Sequence, residues 1–304
     1  MSQTLLVIAG PTGTGKSELA LRLAQTIGGE VVNFDSVQVY RGFDIGSAKP
    51  SLQQRSLVPH HLFDIVDADE EFNAANYAHA ANAIIGAIHA RGHRAILAGG
   101  TFFYLRALLA GLPEMPGRND EARTRIKRIA TRARGPIWLH RWLSKIDPQS
   151  GRKIAPADRQ RVERALEVWL TSGRPISSWE RPVTDERPAL KLALTLDRQR
   201  LGAMLDARVD AMFRDGLIEE TRVLLERYPA TARPFGTIGY REAVAVVQDA
   251  MTLADAIAEA KRRTRAYAKR QLTWLRSERN VQWLDAADRE QTFRAALRLV
   301  EGTN

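Results

Sequence analysis

A glycine-rich loop near the start of the chain has the residue types and spacing that hold phosphate groups. Residues 10–17 read GPTGTGKS, a full match to the pattern GxxxxGK followed by Ser or Thr. In such a loop, backbone N–H groups surround phosphate oxygens, Lys16 supplies a positive charge, and the Ser17 hydroxyl can hold Mg²⁺. The residues predicted to bind a diphosphate or nucleotide are Gly10, Pro11, Thr12, Gly13, Thr14, Gly15, Lys16 and Ser17.

Asp35 is the carboxylate best placed to do chemistry beside this loop. It begins the string DSVQVY at residues 35–40, directly after the second predicted strand. The carboxyl ends of parallel strands share one edge of a sheet, so Asp35 should lie near the phosphate loop as a general base or magnesium ligand. From position alone, the alternative is that Asp35 caps a turn.

The phosphate loop does not specify which molecule carries the phosphates. An ATPase or kinase with this loop normally places an acidic residue at the end of a later apolar strand. Here that strand ends ILAGGT at residues 96–101, without a carboxylate, which counts against ATP hydrolysis. A P-loop kinase of a small metabolite or nucleotide stays open, because some such kinases lack that acid. An RNA-binding NTPase or adaptor is a third class.

The hydrophobic pattern places these residues in a sheet that alternates with helices. The predicted strands are residues 5–9, 30–34, 94–98 and 189–196. Helices are predicted from residue 17, from about 74 to 91, and from 200 to about 279. The fold class is therefore α/β, with a P-loop NTPase-like parallel sheet core.

An all-helical insertion is expected within this core. Pro and Gly cluster at residues 111–120, and the pattern from about 120 to 180 is helical throughout. The predicted domains are a first part of the core at 1–115, a helical insertion at 116–188, and a second part of the core with basic C-terminal helices at 189–304.

Basic residues are concentrated in two segments of this chain, whose formal net charge is +10. Residues 118–174 contain fifteen Lys or Arg against six Asp or Glu, and residues 261–279 contain eight against one. Such segregation indicates a polyanionic partner. The alternative is that these helices have solvated basic faces.

Several classes of protein are disfavoured by composition. The chain has no cysteine, which rules out disulfides, thiolate catalysis and cysteine zinc sites. It begins without a basic leader and has no run of about 20 apolar residues, so we expect a cytoplasmic protein without membrane contact. His60 and His61 lack an evident third metal ligand, and a structural or hydrogen-bonding role is expected.

These strings together resemble the tRNA dimethylallyltransferases, also called tRNA isopentenyltransferases. The resemblance runs almost end to end. Besides GPTGTGKS and DSVQVY it includes DIGSAKP at 44–50, PHHL at 59–62, GGT at 99–101, DRQRVERALEV at 158–168, IGYR at 238–241 and TRAYAKRQLTWLR at 264–276.

The resemblance implies a prenyltransferase that moves a dimethylallyl group from dimethylallyl diphosphate to the exocyclic amine of the adenosine 3′ of the anticodon, position 37. The products would be N6-dimethylallyladenosine and diphosphate. It also implies Mg²⁺ as cofactor and a helical insertion that grips the anticodon stem-loop while the adenosine is flipped. We expect a monomer. Chemistry on a stacked base requires extruding it, which fits the basic segments.

Individual residues take their roles from the same resemblance. Asp35 is expected to be the base that deprotonates the amine, and Lys16, Thr101 and Arg208 to complete the catalytic set. The residues expected to contact tRNA are Asp35, Ser36, Val37, Gln38, Thr101, Arg123, Gln160, Arg161, Val162, Glu163, Arg164, Lys269, Arg270, Gln271 and Arg276.

One helical segment mixes predicted core and predicted RNA-contact positions. Tyr267, Gln271 and Trp274 recur at helical spacing, and for the aromatics we favour the core. The exposed phosphate-binding face is expected to carry Arg262, Arg265, Lys269 and Arg276.

Two positions depart from the family pattern. Met204 and Gly236 stand where an arginine is common, which affects the substrate contacts expected there.

Overall fold

The computed structural model describes residues 4–132, 136–179 and 187–302. The chain divides into two compact units. The core unit contains the residues up to Gly111 and those from Arg187 onward, and the helical unit contains the residues between them.

A six-stranded parallel sheet forms the centre of the core unit. Its strands are β1 (Leu5–Ala9), β2 (Gly29–Asn33), β3 (His60–His61), β4 (Arg94–Ala98), β5 (Ala189–Thr195) and β6 (Val281–Asp285). Their spatial order is β3-β2-β4-β1-β5-β6, and every neighbouring pair is parallel. This architecture confirms the predicted α/β fold class.

Helices cover both faces of the sheet, which is why its central strand β1 is apolar at every position and β4 is apolar after Arg94. The core-unit helices are α1 (Lys16–Ile27), α2 (Leu52–Ser56), α3 (Ala74–Ala90), α4 (Phe102–Ala110), α9 (Arg198–Arg214), α10 (Leu217–Arg227), α11 (Tyr240–Val247), α12 (Leu253–Ser277) and α13 (Arg289–Glu301). Side chains of β1 alternate between two hydrophobic clusters, with Leu5 and Val7 in one and Leu6 and Ile8 in the other. None of the helices within the described ranges is long and apolar enough to cross a membrane.

The helical unit has a small hydrophobic core of its own. Its helices are α5 (Asp120–Arg132), α6 (Pro136–Ile146), α7 (Pro148–Lys153) and α8 (Arg159–Ser172). Leu143 and Leu166 are fully buried between them. Asp147 caps α7, because its Oδ1 accepts a hydrogen bond of 3.0 Å from the N–H of Ser150.

The structure corrects two details of the sequence interpretation. The second strand begins and ends one residue before the predicted range 30–34. The predicted helical pattern ended at about residue 279 and no strand was predicted beyond it, but residues 281–285 form the edge strand β6. An edge strand is exposed on one side, so the sequence VQWLD lacks the continuous apolar run of a buried strand. This strand leads directly into α13.

Candidate active site

The phosphate loop connects the end of β1 to the start of α1. Gly10, Gly13 and Gly15 all have positive φ, which produces the sharp turns of the loop. The carbonyl oxygen of Pro11 accepts hydrogen bonds from Thr14 Oγ1 at 2.9 Å and Lys16 Nζ at 2.7 Å. The ammonium of Lys16 is therefore held against the loop, as the motif requires.

A cavity of about 300 Å³ in the core unit lies over this loop. The loop contributes Lys16 and Ser17 to its wall, and the carboxyl ends of β2 and β4 contribute Asp35 and Gly100. The remaining wall includes Gln38, Lys49, Phe63, Arg208, Tyr267, Gln271 and Arg289. Most of the predicted catalytic residues thus share one cavity at the edge expected for a parallel sheet.

Two cationic side chains in this cavity, those of Lys16 and Arg208, are placed where they could bind an anion. Burial and repulsion from Arg208, partly opposed by the carboxylate of Asp35, together lower the pKa of Lys16 to about 7. Burial also lowers the pKa of Arg208, again opposed by Asp35. Arg208 has no hydrogen bond or ion pair with any residue in the described part of the chain. An anionic ligand would supply the missing partner.

Asp35 both caps a turn and faces the cavity. Its Oδ1 accepts hydrogen bonds from the backbone N–H of Val37 at 2.9 Å and of Gln38 at 3.4 Å. Its Oδ2 is hydrogen-bonded to no described residue. It lies 3.9 Å from the position that a Cβ on Gly100 would occupy. The cap that sequence position suggested as an alternative therefore orients the second carboxylate oxygen.

Thr101 joins the ends of β2 and β4. Its backbone N–H donates to the carbonyl oxygen of Phe34 at 3.0 Å, and its Oγ1 accepts from the N–H of Ser36 at 2.9 Å. The same hydroxyl donates to Ser36 Oγ at 3.2 Å. Thr101 thus fixes the turn that carries Asp35.

Gln271 supports the phosphate loop, and its predicted contact with RNA stays a prediction. The side chain is 4% exposed. Its Oε1 accepts from the N–H of Thr12 at 2.9 Å, and its Nε2 donates to the carbonyl oxygen of Gly100 at 2.9 Å. The amide of Thr12, predicted to bind phosphate, is therefore occupied within the protein. The hydroxyl of Thr14 is likewise used inside the loop.

The predicted RNA contacts in the helical unit differ in accessibility. Val162 is 1% exposed and packs in the core of that unit, and its predicted RNA contact stays a prediction. Arg123 and Arg164 both bond the buried carboxylate of Glu167, each at 2.9 Å. Gln160 and Arg161 are exposed, and Glu163 pairs with Arg159.

The basic face of α12 is exposed as expected, but its members are not equivalent. Arg262 pairs with Glu259, and Arg265 pairs with Asp206. Lys269 and Arg276 form no ion pair with residues in the described ranges. Arg270 lies over the ring of Tyr267, at 5.7 Å from the ring centroid. The expected core position of the aromatics is also observed, because Trp274 stacks on Phe102.

Several residues around the cavity were missed by sequence reasoning. Lys49 belongs to the quoted string DIGSAKP, and its side chain is 1% exposed. Its Nζ contacts Tyr40 O at 2.8 Å, Asp44 at 2.6 Å and Asp64 at 2.5 Å. This ammonium holds the loop beside the cavity. Arg289 was missed entirely, since β6 and α13 were not recognised.

The two histidines have the predicted hydrogen-bonding roles. His60 Nδ1 lies 2.8 Å from the carbonyl oxygen of Val58, and His61 Nε2 lies 2.6 Å from Glu30 Oε2. Burial lowers the pKa of His60.

The two departures from the family pattern have different surroundings. Met204 lies on α9 and packs against the hydrophobic cluster under α1. A Cβ on Gly236 would meet no atom within 4 Å, so space does not require glycine there.

Comparison with known proteins gives one consistent result. The family model described as IPP transferase matches residues 38–278. The chain is 45% identical over 285 residues to a tRNA dimethylallyltransferase of Geobacter metallireducens, covering 92% of each chain. It is 48% identical over 284 residues to one of Solibacter usitatus, again covering 92% of each.

Solved structures agree with the sequence comparison. The tRNA isopentenylpyrophosphate transferase of Bacillus halodurans superposes with a TM-score of 0.74 at 35% identity, covering 99% of this chain and 97% of that one. A eukaryotic dimethylallyltransferase, described as acting on tRNA, superposes with a TM-score of 0.79 at 32% identity, covering 98% and 78%.

Proposed function

The chain belongs to the IPP transferase family, and from this membership we propose that it transfers a dimethylallyl group to tRNA. The donor is dimethylallyl diphosphate, and the acceptor is the exocyclic amine of the adenosine at position 37, next to the anticodon. The observation that carries the proposal is that Asp35 and Lys16 share one cavity with Arg208, which has no ion-pair partner among the residues that the structure describes.

Asp35 supplies the base for this reaction. The lone pair of the exocyclic amine is delocalised into the purine ring, so the nitrogen is a weak nucleophile until its proton is removed. Asp35 Oδ2 takes that proton while the nitrogen forms a bond to the allylic carbon of the donor. The carbon–oxygen bond to diphosphate breaks, and diphosphate leaves with the electron pair.

The phosphate loop stabilises the leaving group. Negative charge grows on the diphosphate as the bond breaks, and fixed N–H groups and cations aimed at it lower the barrier. Lys16 and Arg208 supply the cations. Because both lose solvation in the cavity, they gain more from the diphosphate than exposed cations would.

The site also fits a magnesium ion. Within the described residues, no group of three or more His, Cys, Asp or Glu side chains is suited to hold a metal. Mg²⁺ is commonly bound through one or two protein oxygens and substrate phosphates, which suits the Ser17 hydroxyl beside a bound diphosphate. Bound there, it would neutralise charge on the diphosphate.

The helical unit and the basic face of α12 are proposed to bind the tRNA. Extruding the adenosine from its stack costs roughly a few kcal/mol, which backbone contacts by basic residues offset. Gln160 and Arg161 offer exposed polar groups for this purpose, as do Lys269, Arg270 and Arg276. We propose that the protein acts in the cytoplasm, as a monomer.

The kinase alternative is not favoured. The relatives are named tRNA dimethylallyltransferases, and the loop after β4 carries no carboxylate for the magnesium of a nucleotide. A nucleotide kinase also leaves the basic segments without a partner.

The test is transfer of radiolabelled dimethylallyl from its diphosphate to unmodified tRNA in the presence of Mg²⁺. Asp35→Asn is the informative variant, because asparagine Oδ1 can still accept from the N–H groups of Val37 and Gln38. We expect at least about 100-fold slower transfer, with tRNA binding retained. The exposed Asp69→Asn serves as a control and should transfer at the wild-type rate.

Two results would overturn the proposal. Asp35→Asn within threefold of wild type would remove Asp35 as the base. Absence of transfer by folded wild-type protein, together with ATP turnover, would replace the function with that of a kinase.

A further inference from the structure

Arg289, the first residue of α13, reaches from the C-terminal part of the chain to the phosphate loop. The backbone before it is held in place, because Arg200 Nη2 donates to the carbonyl oxygen of Ala287 at 3.0 Å. Asp288 caps the helix by accepting from the N–H groups of Glu290 and Gln291. The base of the Arg289 side chain is thus fixed relative to the edge of the sheet.

The guanidinium of Arg289 lies directly against Gly15. A Cβ built on Gly15 would be 1.7 Å from Arg289 Nη1 and 2.6 Å from its Cζ. Only a residue without a side chain permits this approach. Gly15 is the residue at which the loop enters α1, where phosphate oxygens meet backbone N–H groups. Arg289 also lines the large cavity that contains Lys16 and Arg208.

Glu18 orients this guanidinium through one hydrogen bond, which uses only one of its nitrogen atoms. Arg289 Nη1 donates to Glu18 Oε2 at 2.7 Å, and the two side chains are 44% and 51% exposed. An arginine has five N–H donors in a rigid planar fork. The Nη2 and Nε groups of Arg289 make no other hydrogen bond to residues in the ranges the structure describes. They remain available to an anion over the loop.

The position of this charge is unfavourable without an anion. The first turn of a helix carries partial positive charge, so an arginine there is repelled by the helix dipole. Glu18 offsets that repulsion in the ligand-free protein. A diphosphate bound at the loop would offset it further.

We propose that Arg289 is an additional diphosphate-binding residue of this chain and that Glu18 is its positioning residue. The proposal rests on the proposed function, since the ligand is the diphosphate of the prenyl donor. Arg289 binds at the phosphate-loop end of the cavity, whereas Asp35 acts at the end near Gly100. Loss of the Arg289 side chain therefore weakens binding of the donor and of the diphosphate product more than it slows the chemical step.

The experiment measures the dissociation constant of dimethylallyl diphosphate with Mg²⁺ by calorimetry, for full-length wild type, Arg289→Ala and Arg294→Ala. Arg294 is the matched control, because it is an exposed arginine on the same helix that pairs with Glu290. We expect Arg289→Ala to bind about five- to tenfold more weakly, and Arg294→Ala to match wild type. Thermal unfolding of both variants checks that they are folded.

The Lys16→Ala variant distinguishes failure of the inference about Arg289 from failure of the proposed function. If Lys16→Ala loses binding while Arg289→Ala stays within twofold of wild type, Arg289 is only a surface ion pair and the inference is wrong. If wild type does not bind the diphosphate, the proposed function fails together with it. A raised KM for the donor with a kcat near wild type in Arg289→Ala supports the binding role.

Discussion

In the proposed function, diphosphate binding depends on the charge of Lys16, and the environment of this side chain makes that charge sensitive to pH. Burial, with added repulsion from Arg208, lowers its pKa to about 7 in the ligand-free protein. A bound diphosphate favours the protonated ammonium. We therefore expect affinity for dimethylallyl diphosphate to fall as pH rises through about 7, by up to about tenfold per unit.

Lys16→Arg provides the matched comparison for this pH dependence. Arginine stays protonated across the accessible range, so its affinity should change only with titration of the ligand. Calorimetry of both proteins between pH 6 and 9 measures the difference. Parallel profiles would contradict the assignment of the pH dependence to Lys16.

A site residue could be predicted from the sequence where its chemistry fixes its spacing from other residues of the site. The phosphate loop has one workable pattern, so GPTGTGKS was recognisable without any structure. The role of Arg208 was predicted only from family resemblance, because an arginine on a helix usually forms a surface ion pair. Arg289 and Gln271 depend on tertiary packing around the loop. No local pattern marks a residue that approaches a glycine more than 250 positions away in sequence.

At the scale of elements, α12 supports the phosphate loop through Gln271. Replacing this residue by leucine leaves the N–H of Thr12 and the carbonyl of Gly100 without partners. We expect Gln271→Leu to lower the free energy of unfolding by about 2–4 kcal/mol and to weaken diphosphate binding. Urea unfolding without tRNA measures the first effect.

The neighbouring Thr273→Ala is the control for this variant. Thr273 is exposed and bonds only the carbonyl of Lys269 within the same helix. It should unfold like wild type. If Gln271→Leu does so too and loses only tRNA affinity, the support role is wrong and the predicted RNA contact is supported.

A second structural centre, formed by the side chains of Glu30, His61, Arg91 and His93, joins β2, β3 and the start of β4. Glu30 is 1% exposed. Although burial raises its pKa, hydrogen bonds from Arg91, His61 and His93 outweigh that effect and lower it to about 2. A lowered pKa means that the carboxylate stabilises the fold above its unfolded value of 4.5 and loses this contribution as pH falls toward 2.

Glu30→Gln tests this centre. We expect a loss of about 2–3 kcal/mol in the free energy of unfolding near pH 7. The difference from wild type should shrink as pH falls below 4.5. Glu290→Gln, which removes an exposed carboxylate, should change little. Urea unfolding at several pH values measures all three proteins, and a difference independent of pH would contradict the assignment.

The elements themselves were predictable where burial is uniform. Strand β1 is apolar along its length and β4 is apolar after Arg94, and both were predicted with correct limits. Strand β6 has only one buried residue, Leu284, and β3 has only two residues, both of them partly buried. Neither contains enough consecutive buried positions to produce a periodic signal. The error at β6 is why Arg289 was missed.

At the scale of the whole molecule, we expect the charge distribution to determine how the proposed protein–RNA complex is held together. The two basic segments carry more positive charge than the net +10 of the whole chain, so the other segments together are acidic. Within the two basic segments, some cations already have acidic partners, including Arg262 and Arg265 on α12 and Arg123 in the helical unit. A paired cation gains less from a phosphate, because its existing partner must be displaced or shared. Counting the Lys and Arg residues in the sequence therefore overestimates the number of phosphate contacts.

Lys269 and Arg276 are the sharpest test of this argument, because both are exposed and unpaired within the described residues of α12. Replacing both by alanine should weaken binding to any tRNA and reduce the slope of log K against log salt by about one per lost phosphate contact. Arg222→Ala with Arg227→Ala on α10 removes the same charge elsewhere in the core unit. Filter binding across a salt series measures the slopes. Equal slopes for both double variants would mean that net charge, and not the face of α12, governs tRNA binding.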